Sequence, residues 1–524
     1  MNRSAACIAF ILMLCAAALA LRLPQLDARL VHGDEAVHAV KCDELWRTGR
    51  YRYDPDEYHG PTLYYLTQPV LWLSGATDFT TTTPSIYRIV PVLIGAATIL
   101  LLLLVRDGLG QVGTIAAAAL TAASPAMVFY SRYYIQETLL VFFTFLLIAA
   151  GWRYVRSRHL GWALLAGTAA GLMHATKETC LIALASLGAA LLLTILWSRH
   201  AARPSVTSHR GRHLRAAGLA LLAASLVSSA LYSGFLTNAA GPLDSLSAYA
   251  TYFGRAGGGI HDHPWYYYLQ MLLYTHHAPG PAWSEALLLI LAGVGIVVTL
   301  LGKTGLPHPA LAYCLALYTL LMVLIYSAIP YKTPWCALGF LHAMILLASV
   351  GVVFLVRSSR GMPARLAIGA VLTLATVHLG WQAWRGSQAF CNDVRNPYVY
   401  AHPVRDVADL GSFLESLATA HPDGHHMMIR VIVPNYWPLP WYLRRFDRVG
   451  YYDTMPPDPN ADVVLASSTF QPQLTQRLHG DYHVAYHGLR RNEVLVTHVR
   501  RGLWDAFVQQ QRADPIPATP AVYP

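Results

Sequence analysis

The sequence predicts a multi-pass α-helical membrane protein of about eleven transmembrane helices, followed by a C-terminal soluble α/β domain. Three observations predict it. Charged residues make up 13% of the 524-residue chain and hydrophobic ones 55%, against about 25% charged for an average soluble domain, and mean hydropathy is +0.38. Apolar stretches recur as far as Trp384, most of them close to the ~20 residues that a bilayer span requires. Beyond Trp384 the composition turns polar and proline-rich, with short β-rich runs.

Stretches suitable for spanning lie at 5–22, 86–105, 111–129, 137–155, 160–176, 179–197, 215–236, 283–301, 309–328, 335–356 and 365–384. The first, with Arg3 ahead of it and Ala17-Ala18-Leu19-Ala20 near its end, has the outline of a secretory signal peptide. Because many spans follow, it is read as an uncleaved first helix. Pro61–Leu73 is shorter and aromatic-rich, which suits a helix lying in the membrane interface.

The net charge of +10 does not imply nucleic acid, because the basic residues share no single face. Arg153/Arg156/Arg158, Arg199/Arg203/Arg210/Arg212/Arg215, Lys303 and Arg357/Arg360/Arg365 fill the breaks between apolar stretches, as cytoplasmic loops do. This orients a plasma (inner) membrane protein with a cytoplasmic N-terminus. Residues 1–384 form the membrane domain with an external first loop at 23–85, and 385–524 form an extracytoplasmic domain. The segments 130–136, 177–178, 237–282 and 329–334 also face outside, and they hold most of the unusual polar residues.

Within 385–524, strands are expected at Met427–Val433, Asp462–Ala466, His483–His487 and Glu493–Val499, with helices at Pro403–Ala418 and Trp504–Gln511. No glycine-rich phosphate loop or nucleophile elbow is visible there. The seven cysteines show no CxxC or metal-ligand spacing. Cys42 and Cys391 would both face the exterior, but their spacing does not argue for a disulfide.

Five motifs carry the candidate chemistry, and each has a structural alternative. Asp34-Glu35 opens a polar loop just beyond the first span. Adjacent carboxylates there are costly unless solvated or used, so either can serve as a base. The alternative is that Asp34 caps, and Glu35 favours electrostatically, a helix running through Trp46. In Tyr130–Glu137, Arg132 offers a phosphate-binding fork and Glu137 an acid at membrane depth. The alternative is interfacial anchoring. Lys177-Glu178 is a charged turn between two apolar segments, and Lys332 is the only charge between Pro330 and Pro334. Either lysine could bind a lipid phosphate; the alternatives are a charged pair in a tight turn for Lys177-Glu178 and a lysine snorkelling in an aromatic belt for Lys332. His261, His263, Trp265, His276 and His277 lie in one loop. His261 and His263 are candidate ligands for a divalent metal, but an HxH pattern plus a distant histidine pair does not define a converging site. Hydrogen bonding to a sugar or phosphate suits them equally. Tyr58, His59, Tyr331 and Trp335 complete the candidate substrate-binding set.

A proton-accepting carboxylate facing several cations outside a multi-helix membrane domain suits sugar transfer from a lipid phosphate. The chain resembles the GT-C superfamily of membrane glycosyltransferases, which includes protein O-mannosyltransferases and lipid A aminoarabinose transferases. It is most similar to the flippase-activity-associated family of archaeal N-glycosylation, which also has bacterial members. The strings that carry the likeness are DEAVHA (34–39), YDPDEYHGPTLYY (53–65), SRYYIQE (131–137), TKE (176–178), HPWYYY (263–268), IPYKTPW (329–335) and NYWPLPWYLRRF (435–446). The resemblance implies inverting transfer from a polyprenyl-phosphate sugar to a lipid, glycan or protein hydroxyl. Asp34 would be the base with Glu35 beside it, Glu137 a second acid, and Arg132, Lys177 and Lys332 the phosphate ligands. The rival from another class is a lipid-linked glycan flippase or a flippase-associated binding protein. A flippase needs polar groups spread through its helices, whereas here they cluster at one face.

Overall fold

A computed structural model describes residues 3–55, 59–201, 210–255, 259 and 261–513. The chain forms two compact units. The first comprises Met1–Ala28, Glu44–Gly75 and Thr83–Tyr400, and the second Arg29–Asp43, Ala76–Thr82 and Ala401–Pro524.

Helices α1 (Arg3–Arg22), α2 (Gly33–Thr48) and α3 (Thr62–Ser74) come first, and α2 passes from the second unit into the first. Then follow α4 (Pro84–Leu101), α5 (Arg106–Ala123), α6 (Pro125–Tyr130), α7 (Glu137–Ser157), α8 (Leu160–His174), α9 (Cys180–Ala201) and α10 (Arg210–Tyr232). After α11 (Gly241–Arg255) and α12 (Tyr267–Leu273), the two-residue strands β1 (Thr275–His276) and β2 (Ala282–Trp283) pair antiparallel. The first unit closes with α13 (Ala286–Leu300), α14 (Pro309–Ala328), α15 (Leu338–Ser358) and α16 (Met362–Ser387).

Each of the eleven predicted apolar stretches is helical over most of its length, although 283–301 begins on strand β2. Among the described residues, eight helical segments are long and apolar enough to cross a membrane, and α8 and α13 are shorter apolar helices. One of the eight, Pro84–Ala123, holds two predicted stretches. It is interrupted by a 3-10 turn at Leu102–Val105 and by Gly110, whose φ of 71° breaks the helical path. Pro61–Leu73 is also helical, as α3. In a bilayer no hydrophobic force draws helices together, so small residues let backbones pack closely. Helices α13 and α15 do this at Gly295 and Gly351, where an added Cβ would lie 2.0 Å from the Leu347 oxygen and 2.3 Å from the Leu291 oxygen.

The second unit is built on a five-stranded mixed sheet of order β4-β3-β5-β7-β6. Its strands are β3 (Ile429–Ile432), β4 (Val449–Tyr452), β5 (Val463–Ser467), β6 (Tyr482–Arg490) and β7 (Glu493–Arg500). Strand β3 runs parallel to both β4 and β5, while β7 is antiparallel to β5 and β6. Helices α17 (Asp406–Ala420), α18 (Leu439–Tyr442), α19 (Gln471–Arg477) and α20 (Arg501–Ala513) complete the unit. Successive strand residues face opposite sides. Ile429 and Val431 therefore join one core with Leu410, Leu414 and Leu417 of α17, while Ile432 joins a smaller core with Val464, Ala466 and Leu474. The four predicted strands are present. Strand β4 was not predicted: its residues, Val-Gly-Tyr-Tyr, are all half-buried and show no alternation at the sheet edge.

All seven cysteines are free thiols.

Candidate active site

In the second unit the sequence Val31–Glu35 turns into α2. The His32 ring accepts the Asp34 backbone N–H through Nδ1 at 3.1 Å, and the Glu35 carboxylate reaches back to the His32 backbone N–H at 3.2 Å. This is a reciprocal capping box with histidine as the cap. The cap is thus His32, and Asp34 stands inside the first turn. Glu35 also accepts from Arg29 at 2.8 Å, and both side chains are buried. The Asp34 side chain remains 45% exposed, with its carboxylate 3.8 Å from His32 Nδ1. One carboxylate therefore holds the turn while its neighbour is presented to solvent. The string 435–446 packs against this same turn: the Tyr442 hydroxyl accepts the Val31 N–H at 3.1 Å. The His32 and His402 rings lie 5.1 Å apart.

In the first unit the polar motifs meet in pairs. Lys177 and Glu137 form a buried ion pair. Burial opposes the ammonium charge, but Glu137 outweighs it and raises the Lys177 pKa above its ordinary value. Next to it, Glu178 accepts from His59 Nδ1 at 2.8 Å and from the Tyr53 hydroxyl at 3.0 Å. Burial alone would raise the Glu178 pKa, yet the His59 ring and Lys177 hold it down to about 2. A carboxylate that stays ionised only accepts, so His59 carries its proton on Nδ1. The contact is made possible by Gly60. The Ala175 carbonyl takes the Thr62 N–H at 3.0 Å and the Thr62 hydroxyl at 2.7 Å, and a Cβ on Gly60 would lie 2.2 Å from it. Tyr58 lies outside the described residues.

Arg132 is buried and its guanidinium spans three backbone carbonyls, those of Arg22 at 2.6 Å, Pro24 at 2.7 Å and Gln25 at 3.1 Å. Arg22, also buried, donates to the Ser131 hydroxyl at 2.8 Å. These contacts anchor the 131–137 loop to the end of α1.

Lys332 and the histidine loop form a third group. Residues 261–263 and 330–332 pair as a short antiparallel ladder, with His263 N–H on the Pro330 oxygen and Lys332 N–H on the His261 oxygen. The Lys332 ammonium is buried and donates to the Ile329 carbonyl and, at 3.3 Å, to the His263 carbonyl. Burial lowers its pKa. His261 is bonded to the Tyr400 hydroxyl at 2.6 Å, and His263 stacks on Tyr267 at 4.1 Å. Burial, with His261 and Lys332 nearby, lowers the His263 pKa and favours the neutral ring. Trp335 packs among Tyr130, Tyr133 and Tyr400, whereas Tyr331 and Trp265 are exposed. Among the described residues no three His, Cys, Asp or Glu side chains are grouped to hold a metal ion.

One residue with no place among the five motifs stands out. Glu285, fully buried, accepts from the Ser124 hydroxyl at 2.5 Å, the Ala126 N–H at 2.9 Å and the Tyr398 hydroxyl at 2.7 Å. An acid immediately before the apolar run of α13 is the available signal, hidden because the expected span 283–301 includes it.

Residues 58–229 match the family model described as dolichyl-phosphate-mannose-protein mannosyltransferase. No characterised protein matches the chain in a sequence comparison. Among solved structures, ArnT from Cupriavidus metallidurans bound to undecaprenyl phosphate aligns with a TM-score of 0.64 at 15% identity, over 93% of this chain and 98% of that one. The archaeal oligosaccharyltransferase AglB from Archaeoglobus fulgidus, in complex with an inhibitory peptide and a dolichol-phosphate, aligns with a TM-score of 0.57 at 12% identity, over 96% and 77%. The fold is that of the GT-C superfamily of membrane glycosyltransferases. The likeness to ArnT runs nearly end to end in both chains, whereas AglB is the longer protein.

Proposed function

We propose that this protein is a membrane glycosyltransferase that moves a sugar from a polyprenyl-phosphate donor to an acceptor hydroxyl at the extracytoplasmic face, with inversion. The acceptor oxygen attacks the anomeric carbon as Asp34 takes its proton. The bond from that carbon to the phosphate oxygen breaks, and the polyprenyl phosphate leaves with the electron pair. Lys332 stabilises the leaving phosphate. Arg132 and Lys177 join it only by exchanging their present partners, the carbonyls at the end of α1 and Glu137.

The observation that carries this assignment is the division of labour at the start of α2. A base must be exposed yet fixed in direction, and Asp34 is exposed on a helix start that His32, Glu35 and Arg29 hold rigid. The lipid phosphates bound by ArnT and AglB support the donor class. The test is transfer from radiolabelled polyprenyl-phosphate sugars to a pool of lipid, glycan and protein acceptors. Asp34→Asn keeps the side-chain shape, and only the Asp34 backbone takes part in the capping box, so folding should persist while transfer falls about a hundredfold or more. Near-normal turnover in a well-folded Asp34→Asn protein would remove the assignment.

A further inference from the structure

The six-residue helix α6 carries the Ser131–Glu137 loop directly after it, and both its ends lead to Glu285. At the first end Ser124 and Ala126 donate to the Glu285 carboxylate. At the other, the Tyr130 hydroxyl donates to the Tyr398 carbonyl at 3.0 Å, and the Tyr398 hydroxyl returns to Glu285 at 2.7 Å. The circuit closes on one buried carboxylate. The main chain that carries it is anchored in turn, because the Glu285 backbone N–H bonds the Leu272 oxygen at 2.7 Å.

We propose that Glu285 is a positioning residue that clamps α6, and through it fixes the loop bearing Arg132 and Glu137 for donor binding. The donor-binding part rests on the function proposed above. A buried carboxylate with three converging donors leaves several polar groups unpaired when removed, and each costs the full desolvation penalty. The loss falls first on α6, which is too short to hold its own geometry.

Hydrogen exchange and kinetics on the detergent-purified full chain test the clamp with Glu285→Ala, Glu285→Gln, Tyr398→Phe and the Glu285→Ala/Tyr398→Phe pair. Glu285→Ala should speed exchange across 124–137 by about tenfold while α15 stays protected. It should also raise the KM for the polyprenyl-phosphate sugar about tenfold and leave kcat within about threefold. Glutamine keeps one acceptor oxygen, and its amide can donate to the Ser124 or Tyr398 hydroxyl oxygen, so Glu285→Gln should restore most of both. The double variant should be no worse than Glu285→Ala, because both changes act through one circuit. Unchanged exchange across 124–137, multiplying losses in the double variant, or a glutamine no better than alanine would each overturn the clamp. If the wild-type protein transfers no sugar from lipid phosphate, the proposed function fails, while the exchange data still decide the clamp.

Discussion

Glu178 holds the His59 ring through a 2.8 Å hydrogen bond to Nδ1, with residues 119 apart in sequence brought together by the turn between α8 and α9. The bond ties the loop before α3 to the TKE motif, and it makes the pair sensitive to acid in one direction.

The ordinary Glu178 value of 4.5 falls to about 2. A depressed carboxylate contributes stability that is complete above its unfolded pKa and is lost as pH falls through the folded one. Glu178→Gln should therefore lower the melting temperature by several degrees at neutral pH. The gap from wild type should narrow as pH drops from about 4.5 towards 2. Melting curves of both proteins down to about pH 3 check this. A gap that stays constant would show that the charge of Glu178 contributes nothing.

The same junction predicts the effect of one methyl group. Gly60→Ala would press a Cβ against the Ala175 carbonyl, and backbone cannot move aside as a side-chain tip can. A destabilisation of about 1–3 kcal/mol is expected. The measurement is thermal unfolding. Gly188, with open space around it, serves as the control position, and an equal effect at both would refute the close-approach explanation.

Lys332 and Arg132 both rest on backbone carbonyls, but those of Lys332 belong to its own turn and the paired histidine loop, whereas Arg132 braces the end of α1 and Lys177 is paired with an acid. Lys332→Met keeps the stem and removes the charge. Affinity for undecaprenyl phosphate should fall about tenfold or more, with the acceptor KM little changed. Equal losses for donor and acceptor would count against a phosphate role.

Orientation has its own test. Single cysteines in a background without native thiols should label differently: Gln473→Cys with a membrane-impermeant maleimide in intact cells, Ser157→Cys only after lysis. The reverse pattern would put Asp34 on the cytoplasmic side and make nucleotide sugars the natural donors.

Much of the architecture was legible because bilayer thickness forces apolar stretches of characteristic length. Strands β3 and β5 likewise announced themselves as apolar runs bounded by turns. What was hidden depends on contacts distant in sequence. Nothing local to Asp34 says that His32, not Asp34, caps α2, since histidine is not a usual cap. Arg132 reads as a phosphate fork because its partners are backbone carbonyls, which every sequence possesses equally. Glu285 sat inside an apolar stretch, where a single acid is easily averaged away.

The partnership of Arg29–Asp43 with residues 401–524 in one unit has a consequence for synthesis. The acidic turn leaves the ribosome well before Tyr442, whose hydroxyl accepts the Val31 N–H across 411 residues of sequence. A nascent chain halted before residue 440 carries Asp34 without the surface that seats it. Cutting the chain at Tyr400 would thus remove the bed under the start of α2, and a truncated protein would keep Asp34 but lose the surface that seats it.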